Sequence, residues 1–586
     1  MENEKKSNPE WMQQDAAQKE NAVQKTKNER NAETATNAIT ITWNGEERTV
    51  DEGKRMEELL PYEQYKGTNP VILIKVNHKI SGLSYIPQEG DIIEDLTLKT
   101  MDGWRAYQRG LIFLFVLATK ECLPGSQVSI LHSLGSGIYI EVEGVTLSPF
   151  DLDRIGRKMR EYIDENKPFQ LSEISKEEAL EHYQHTQQPD KAALLAFRES
   201  KETFKIYRVE NMRDYFFGYM PPSSGYLQRF QLEFEWPGLV LLQPSMRDPD
   251  APIAYHSSHK LMHVFRESER WARLLECTTV ADLNQLIKDG GIEEFILVNE
   301  ARHDKEIAEY AHYICEQRTR LVTVAGPSSS GKTTFTQKLR LQLRANGKKP
   351  VMISLDNYYA DRDTIPLQPD GSVDLEHINT LQLDLFNEHL EKLLAGERVQ
   401  IPRFDFPNGR CVRESGRWLE IGEDGILLIE GIHGLNDDLT ASVARKDKFK
   451  IYISALTQLN LDRHNRIPTT DVRLIRRMVR DFEHRNADAE TTLSMWPSVR
   501  AGEDRWIFPY QERCDVMFNS TLMYELAFLK QYAYPLLQAV AQDSPYFSEA
   551  NRLLKFLNYF SDPGPEEGIP NTSLLREFIG GGVFEQ

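Results

Sequence analysis

The chain has 586 residues, too many for one ordinary hydrophobic core, so three or more domains are expected. With 40% hydrophobic and 27% charged residues it has a soluble globular composition, and a net charge of -19 excludes broad binding to nucleic acid backbones. Five scattered cysteines (Cys122, Cys277, Cys315, Cys411, Cys514) without a CxxC pair exclude a disulfide framework and a cysteine-based zinc site.

The longest apolar run, residues 110–118, is too short to span a bilayer, and no apolar core follows the basic residues at the N-terminus. A cytoplasmic protein with no membrane contact is the expectation. Residues 1–38 are rich in Glu, Lys, Gln, Asn and Ala, which predicts a disordered tail. Alternation over 39–43, an Asn44-Gly45 turn, a short helix near 56–60 and a strand over 71–76 predict a small β-grasp module over 39–100. Residues 101–235 read as α+β, with helices over 104–121 and 149–166 and a strand over 137–142. A mostly helical connecting region follows over 236–318.

From Thr319 onward apolar strands alternate with helices, the pattern of an α/β parallel sheet flanked by helices, over 319–545. Its strands are expected at 321–325, 351–355, 425–430 and 448–453. A polar stretch containing Pro and Gly, 546–586, reads as a C-terminal tail.

Between the first of those strands and a helix lies Gly326-Pro-Ser328-Ser329-Ser330-Gly331-Lys332-Thr333-Thr334. Glycines at these positions let backbone N–H groups turn inward and wrap an anion at a helix N-terminus. Lys332 then reaches the outer phosphates of a nucleotide and the Thr333 hydroxyl is placed to ligate Mg²⁺. The strand–loop–helix context separates this match from a chance Gly-rich turn. Downstream, Asp356 follows the next strand, where a carboxylate can accept a proton from an attacking hydroxyl. Glu430 ends the strand over 425–430, as a second magnesium-site ligand would. Arg473, Arg476, Arg477, Arg480 and Arg485 crowd one helix, and guanidinium groups suit the charge on a transferring phosphoryl group.

These residues resemble the uridine kinase/phosphoribulokinase family over residues 320–540. Thr470-Asp-Val-Arg-Leu474 with its arginine helix is similar to the uridine kinase lid. The resemblance implies ATP or GTP as donor with Mg²⁺, Asp356 as catalytic base for a 5′-hydroxyl, and Asp374 as the carboxylate that holds the ribose hydroxyls. It also implies Glu430 in the magnesium site and Arg473, Arg476 and Arg480 as lid arginines. Tyr358, Arg403 and Phe404 are assigned to acceptor contact. In Arg403-Phe404-Asp405-Phe406-Pro-Asn-Gly409 the tyrosine hydroxyl and the following histidine of the family's base reader are absent. The nucleoside identity is therefore open.

The front half resembles other modules. Residues 39–100 look like a TGS domain, and 101–235 like the editing domain of threonyl-tRNA synthetases, on Gly135-Ser-Gly-Ile-Tyr-Ile-Glu141, residues 159–168 and Pro222-Ser-Ser-Gly225. The four positions that carry editing chemistry there hold Tyr107, Leu111, Phe216 and Met220, which predicts an inactive copy open to RNA or protein contact. Homo-oligomerisation is implied by the uridine kinase resemblance alone. The leading expectation is a nucleoside kinase in salvage. The alternatives are a phosphoribulokinase-like sugar or phosphosugar kinase and a nucleotide-dependent RNA-binding or regulatory protein.

Overall fold

In the first strand Ile39, Ile41 and Trp43 all turn to one buried face, as their period of two requires. The computed structural model describes residues 38–584 apart from 62, 136, 187, 199–202, 252, 366–373, 375 and 406–407. The expected tail over 1–38 lies outside these but for Ala38. Strands β1 (Ala38–Trp43), β2 (Glu46–Asp51), β3 (Val71–Val76), β4 (Lys79–Ser81) and β5 (Ile92–Thr97) form one sheet in the order β2-β1-β5-β3-β4. Asn44 and Gly45 both take positive φ (52° and 83°), the backbone that lets β1 turn directly into β2.

Helix α1 (Met101–Cys122) is capped by the Thr100 side chain and is buried along almost its whole middle. Around it lie β6 (Gln127–Leu134), β7 (Gly137–Glu143), α2 (Pro149–Asp164), β8 (Gln170–Ser175), β9 (Thr203–Val209), β10 (Met212–Tyr215), β11 (Gln231–Glu235) and β12 (Gly238–Leu242). They make a three-stranded sheet, β10-β9-β8, and a four-stranded one, β11-β12-β7-β6. Strand β12 pairs with β7, so the sheet runs past residue 235. Tyr107, Leu111, Phe216 and Met220 are all core residues, and the Tyr107 hydroxyl donates to the Arg229 carbonyl at 2.8 Å. Among the described residues no helix is long and apolar enough to cross a membrane.

After helices α3 (His259–Leu274), α4 (Val280–Lys288) and α5 (Ile292–Glu316) the chain builds an α/β sheet. Its strands are β13 (Leu321–Ala325), β14 (Lys349–Ser354), β15 (Gly425–Glu430), β16 (Lys448–Ser454) and β17 (Val516–Asn519), all parallel, in the order β14-β15-β13-β16-β17. Helices α6 (Lys332–Ala345), α7 (Leu383–Leu394), α8 (Thr469–Arg485), α9 (Ala489–Trp506) and α10 (Glu525–Gln538) complete the module. Every residue of β13, β15 and β16 is buried, which explains the apolar runs of the first two, while in β16 the buried Lys448 and Lys450 donate to the Thr440 and Leu435 carbonyls.

The C-terminal stretch corrects the expected tail. Residues 547–557 form α11 (Phe547–Leu557), and the short α12 (Arg576–Ile579) buries Leu575 and Phe578 in the core. Apolar residues at helical spacing within α11 outweigh the Pro and Gly that suggested a loose end.

The two halves of the chain meet at a buried charge cluster. Lys191 pairs with Asp214, and His464 Nδ1 lies 2.7 Å from the other Asp214 oxygen. Burial alone would raise the Asp214 pKa, but Lys191 and His464 hold it well below the carboxylate range. Asp214→Ala leaves Lys191 buried without its nearest carboxylate, with Asp462 3.8 Å away. It is expected to cost roughly 3–5 kcal/mol, read as a fall in Tm by calorimetry of the full chain, whereas an unchanged Tm would contradict this role.

Candidate active site

The loop between β13 and α6 sits at the carboxyl end of the central strand, where doubly wound sheets bind ligands. Two backbone features fix its shape. A Cβ on Gly326 would lie 2.1 Å from the Ile453 carbonyl oxygen, so only glycine lets the loop leave the sheet there. Gly331 takes φ 85° and Ser329 φ 58°, which turns the chain into α6. The hydroxyls of Ser329 and Ser330 are buried without a hydrogen-bond partner inside the loop. Lys332 Nζ donates to the Pro327 carbonyl at 3.1 Å.

Carboxylates gather around this lysine. Thr333 Oγ1 donates to Glu430 Oε2 at 3.4 Å. Burial, and then the neighbouring Asp356, push Glu430 up to about 7 against the pull of Lys332. Asp356 lies on a one-turn helix after β14 and is exposed, yet the surrounding protein still raises its pKa, opposed by Lys332, Arg485 and Arg480. Burial lowers Lys332 itself, and Glu430, Glu577 and Asp356 counter that effect. Crowded carboxylates at the end of β15, next to a threonine hydroxyl, suit one divalent cation shared with a bound phosphate. Thr333 and Glu430 are the side chains that would hold it.

Asp374 accepts from Trp506 Nε1 at 2.9 Å and from an Arg505 guanidinium nitrogen at 3.3 Å, both at the end of α9. Beside it Glu376 is pushed up to about 7 by burial and by Glu503. His433 is buried with both ring nitrogens unpartnered, and burial lowers it to about 4. The wall of the cleft near Asp356, Asp374 and Glu430 is therefore acidic.

The structure moves several assigned side chains. Tyr358 is a correction: it is fully buried, bonded to His389 at 3.0 Å and packed edge-on against Phe386, away from the cleft. The helical turn after β14 instead directs Tyr359 toward Asp356, Glu376 and Arg485. Phe404 packs edge-on against Tyr359 with ring centres 5.6 Å apart. Arg403 is exposed on the short hairpin that carries Phe404, and Phe406 lies outside the described residues.

Arg473 and Arg476 are corrections too. Both are almost completely buried under the phosphate loop and are spent on protein partners. Arg473 Nε donates to the Ser328 carbonyl at 3.0 Å and its two terminal nitrogens grip Glu503, one at 3.0 Å. Arg476 binds the Ser520 carbonyl at 2.9 Å, the Ser329 carbonyl at 3.4 Å and the Glu525 carboxylate. Guanidinium groups held this way brace the carbonyls of the loop. Arg477 reaches the Ser328 hydroxyl at 2.8 Å, while Arg480 and Arg485 lie within electrostatic reach of Asp356.

The sequence reading missed Glu503, Glu525 and Glu577, because nothing near each in the chain marks its distant partner. Glu577, from α12, accepts the Thr334 N–H at 3.0 Å, at the N-terminus of α6. Leu574 of the same segment lies where a Cβ on Gly331 would be 3.3 Å away. A carboxylate thus occupies one of the donors that α6 offers to anions.

Residues 321–526 match the family model described as Phosphoribulokinase / Uridine kinase family. The chain is similar to the uridine kinase of Halobacterium salinarum, 26% identical over 198 residues that cover 33% of this chain and 78% of that one. It is likewise similar to the uridine kinase of Halalkalibacterium halodurans, 27% identical over 202 residues, covering 34% and 86%. A solved structure described as a possible uridine kinase from Bacillus stearothermophilus covers 36% of this chain and 100% of that one, at 16% identity and a TM-score of 0.25.

Because Glu577 and a phosphate compete for the Thr334 N–H, Glu577→Ala is expected to tighten pyrophosphate binding by roughly five- to thirtyfold, ~1–2 kcal/mol at a helix N-terminus. Titration calorimetry checks this. Unchanged or weaker binding would show that the carboxylate supports the site and does not block it.

Proposed function

We propose, from residues 321–526 that match the Phosphoribulokinase / Uridine kinase family model, that the chain transfers the γ-phosphoryl group of ATP or GTP to a hydroxyl of an uncharged acceptor, a nucleoside 5′-hydroxyl first among them. The observation that carries the acceptor choice is the acidic cleft wall. Asp356 and Asp374 accept hydrogen bonds from the hydroxyls of a neutral sugar, and Glu376 and Glu430, both pushed up to about 7, add hydrogen-bonding carboxyl groups beside them.

In this mechanism the loop N–H groups and Lys332 hold the donor phosphates. Thr333 and Glu430 would hold Mg²⁺, which would supply positive charge to the donor phosphates. Asp356 takes the proton from the acceptor hydroxyl as its oxygen attacks phosphorus. The raised pKa of Asp356 favours that role, since a base closer to neutrality is matched to its task. Arg480, with Arg485, faces the transferring group. Arg473 and Arg476 act one step back, by holding the Ser328 and Ser329 carbonyls so that the loop N–H groups stay turned inward. Asp374 fixes the sugar, oriented by Trp506 and Arg505.

A phosphosugar acceptor needs spare cations near Asp374. Arg410 is already paired with Asp361 and Asp363, which leaves exposed Arg403 as the hairpin cation that such an acceptor would have to use. We read residues 39–100 and 101–235 as TGS-like and editing-like modules without chemistry of their own, open to RNA or protein contact. The buried state of Tyr107, Leu111, Phe216 and Met220 supports this.

Asp356→Asn is expected to lower phosphoryl transfer by about 10²–10⁴-fold while leaving donor affinity within about threefold. The assay follows γ-phosphate over a panel of nucleosides, free sugars and sugar phosphates. Full activity in the variant would remove Asp356 from the role of base.

A further inference from the structure

Far from the phosphate loop, a cavity of about 580 Å³ opens between β4, α1, the β9–β10 sheet and α11. Among the described residues, seven lysine and arginine side chains line it with the carboxylate of Asp102, and five of the seven are not shared with the Glu549 and Asp471 pairs of Arg105 and Arg552. In a chain of net charge -19 this is a marked local inversion of sign. Its cations stand among rings. Lys205 Nζ lies 4.8 Å from the ring centre of Tyr219 and donates to its hydroxyl at 3.1 Å. Lys79 Nζ lies 5.8 Å from the ring centre of Phe547.

Arg109 shows that the pocket is built and not incidental. Its Nε donates to the Tyr219 carbonyl at 2.8 Å, which fixes the guanidinium plane. Gly218, at φ 116°, lets that plane lie against the backbone, since a Cβ there would be 2.8 Å from Arg109 Cζ. Burial pushes this guanidinium down to about 10, and burial followed by Lys205 lowers Lys555. Cations that weaken one another in this way are relieved by an anion between them.

We propose that this cavity is a second ligand site, for a small phosphorylated anion with a flat ring, of the nucleoside monophosphate class. Lysines and a fixed guanidinium suit a phosphate, and the rings of Phe217, Tyr219 and Phe547 line the same cavity, where a heterocycle can pack. The volume falls within the range of small-molecule sites. The far wall of the cavity leads back to the kinase module. Arg105 and Arg552 line it, and Glu549 and Asp471 pair with both. Asp471 opens α8, two residues before Arg473, so changing Arg105 or Arg552 would also disturb the phosphate loop. Lys205 and Lys555 touch the cavity without that link.

The test uses the full chain carrying Lys332→Ala, which removes the phosphate-loop lysine from the reading. Titration calorimetry with AMP, CMP, GMP, UMP and inorganic phosphate is run at low and high salt. At least one nucleoside monophosphate is expected to bind saturably, more tightly at low salt and more tightly than inorganic phosphate. Adding Lys555→Glu is expected to weaken it by about tenfold or more. Lys205→Glu, at a partly exposed side chain where folding is not at stake, is expected to do the same. The proposal is overturned if no monophosphate binds, if inorganic phosphate binds as well as the best of them, or if neither charge reversal alters binding.

Discussion

The phosphate loop keeps its shape because two buried arginines hold its carbonyls from below. A loop whose N–H groups point at a ligand must point its carbonyls the other way, into protein, where an unmet acceptor is costly. Arg473 and Arg476 meet those acceptors, and Glu503 and Glu525 balance their charge. Glu503 also accepts the Ser328 N–H at 3.2 Å, so the same carboxylate touches both loop and helix. Against the cost of burial, Arg473 and Arg500 keep it ionised, below its ordinary pKa. The helix that family likeness presents as a set of phosphate-facing arginines thus divides its labour. Its inner face is scaffold, while Arg480 and Arg485, both paired with Asp481, lie within electrostatic reach of Asp356.

That brace ties distant parts of the chain to one centre. Helix α9 supplies Glu503 to the loop and, at its end, Trp506 and Arg505 to Asp374. A Cβ on Gly502 would meet the Glu376 side chain at 2.4 Å, so α9 is pressed against the acceptor wall as closely as glycine allows. From the other side, α12 brings Glu577 to the start of α6. The loop side and the Asp374 side of the cleft therefore share one helix, and the C-terminal segment covers the loop side.

How much of this was legible in the chain follows the range of each interaction. The loop 326–334, the strands at 321–325 and 425–430 and the position of Asp356 are set by local chemistry: glycines, a buried apolar run, and a carboxylate where a strand ends. The hairpin at Asn44-Gly45 and the helix at 101–122 were legible for the same reason. Local pattern failed where one residue's rotation decides the outcome. Tyr358 and Tyr359 are adjacent, and only the helical turn after β14 determines that the first faces the core and the second the cleft. It failed again where two charges 30 or more positions apart find each other, as Arg473 and Glu503 do. The closing segment looked like a tail because its Pro and Gly residues are conspicuous, while Leu574, Leu575 and Phe578 acquire meaning only against the core that receives them.

The central claim is that a braced phosphate loop and an acid-walled cleft make a kinase for an uncharged acceptor. Phosphorus NMR of the unmodified full chain with ATP and Mg²⁺, offered uridine, cytidine, ribose and ribulose 5-phosphate in parallel, tests it most directly. The account predicts a new phosphomonoester resonance with a neutral acceptor and none from the phosphosugar. A product from ribulose 5-phosphate alone, or ATP hydrolysis at the same rate with every acceptor, would contradict it.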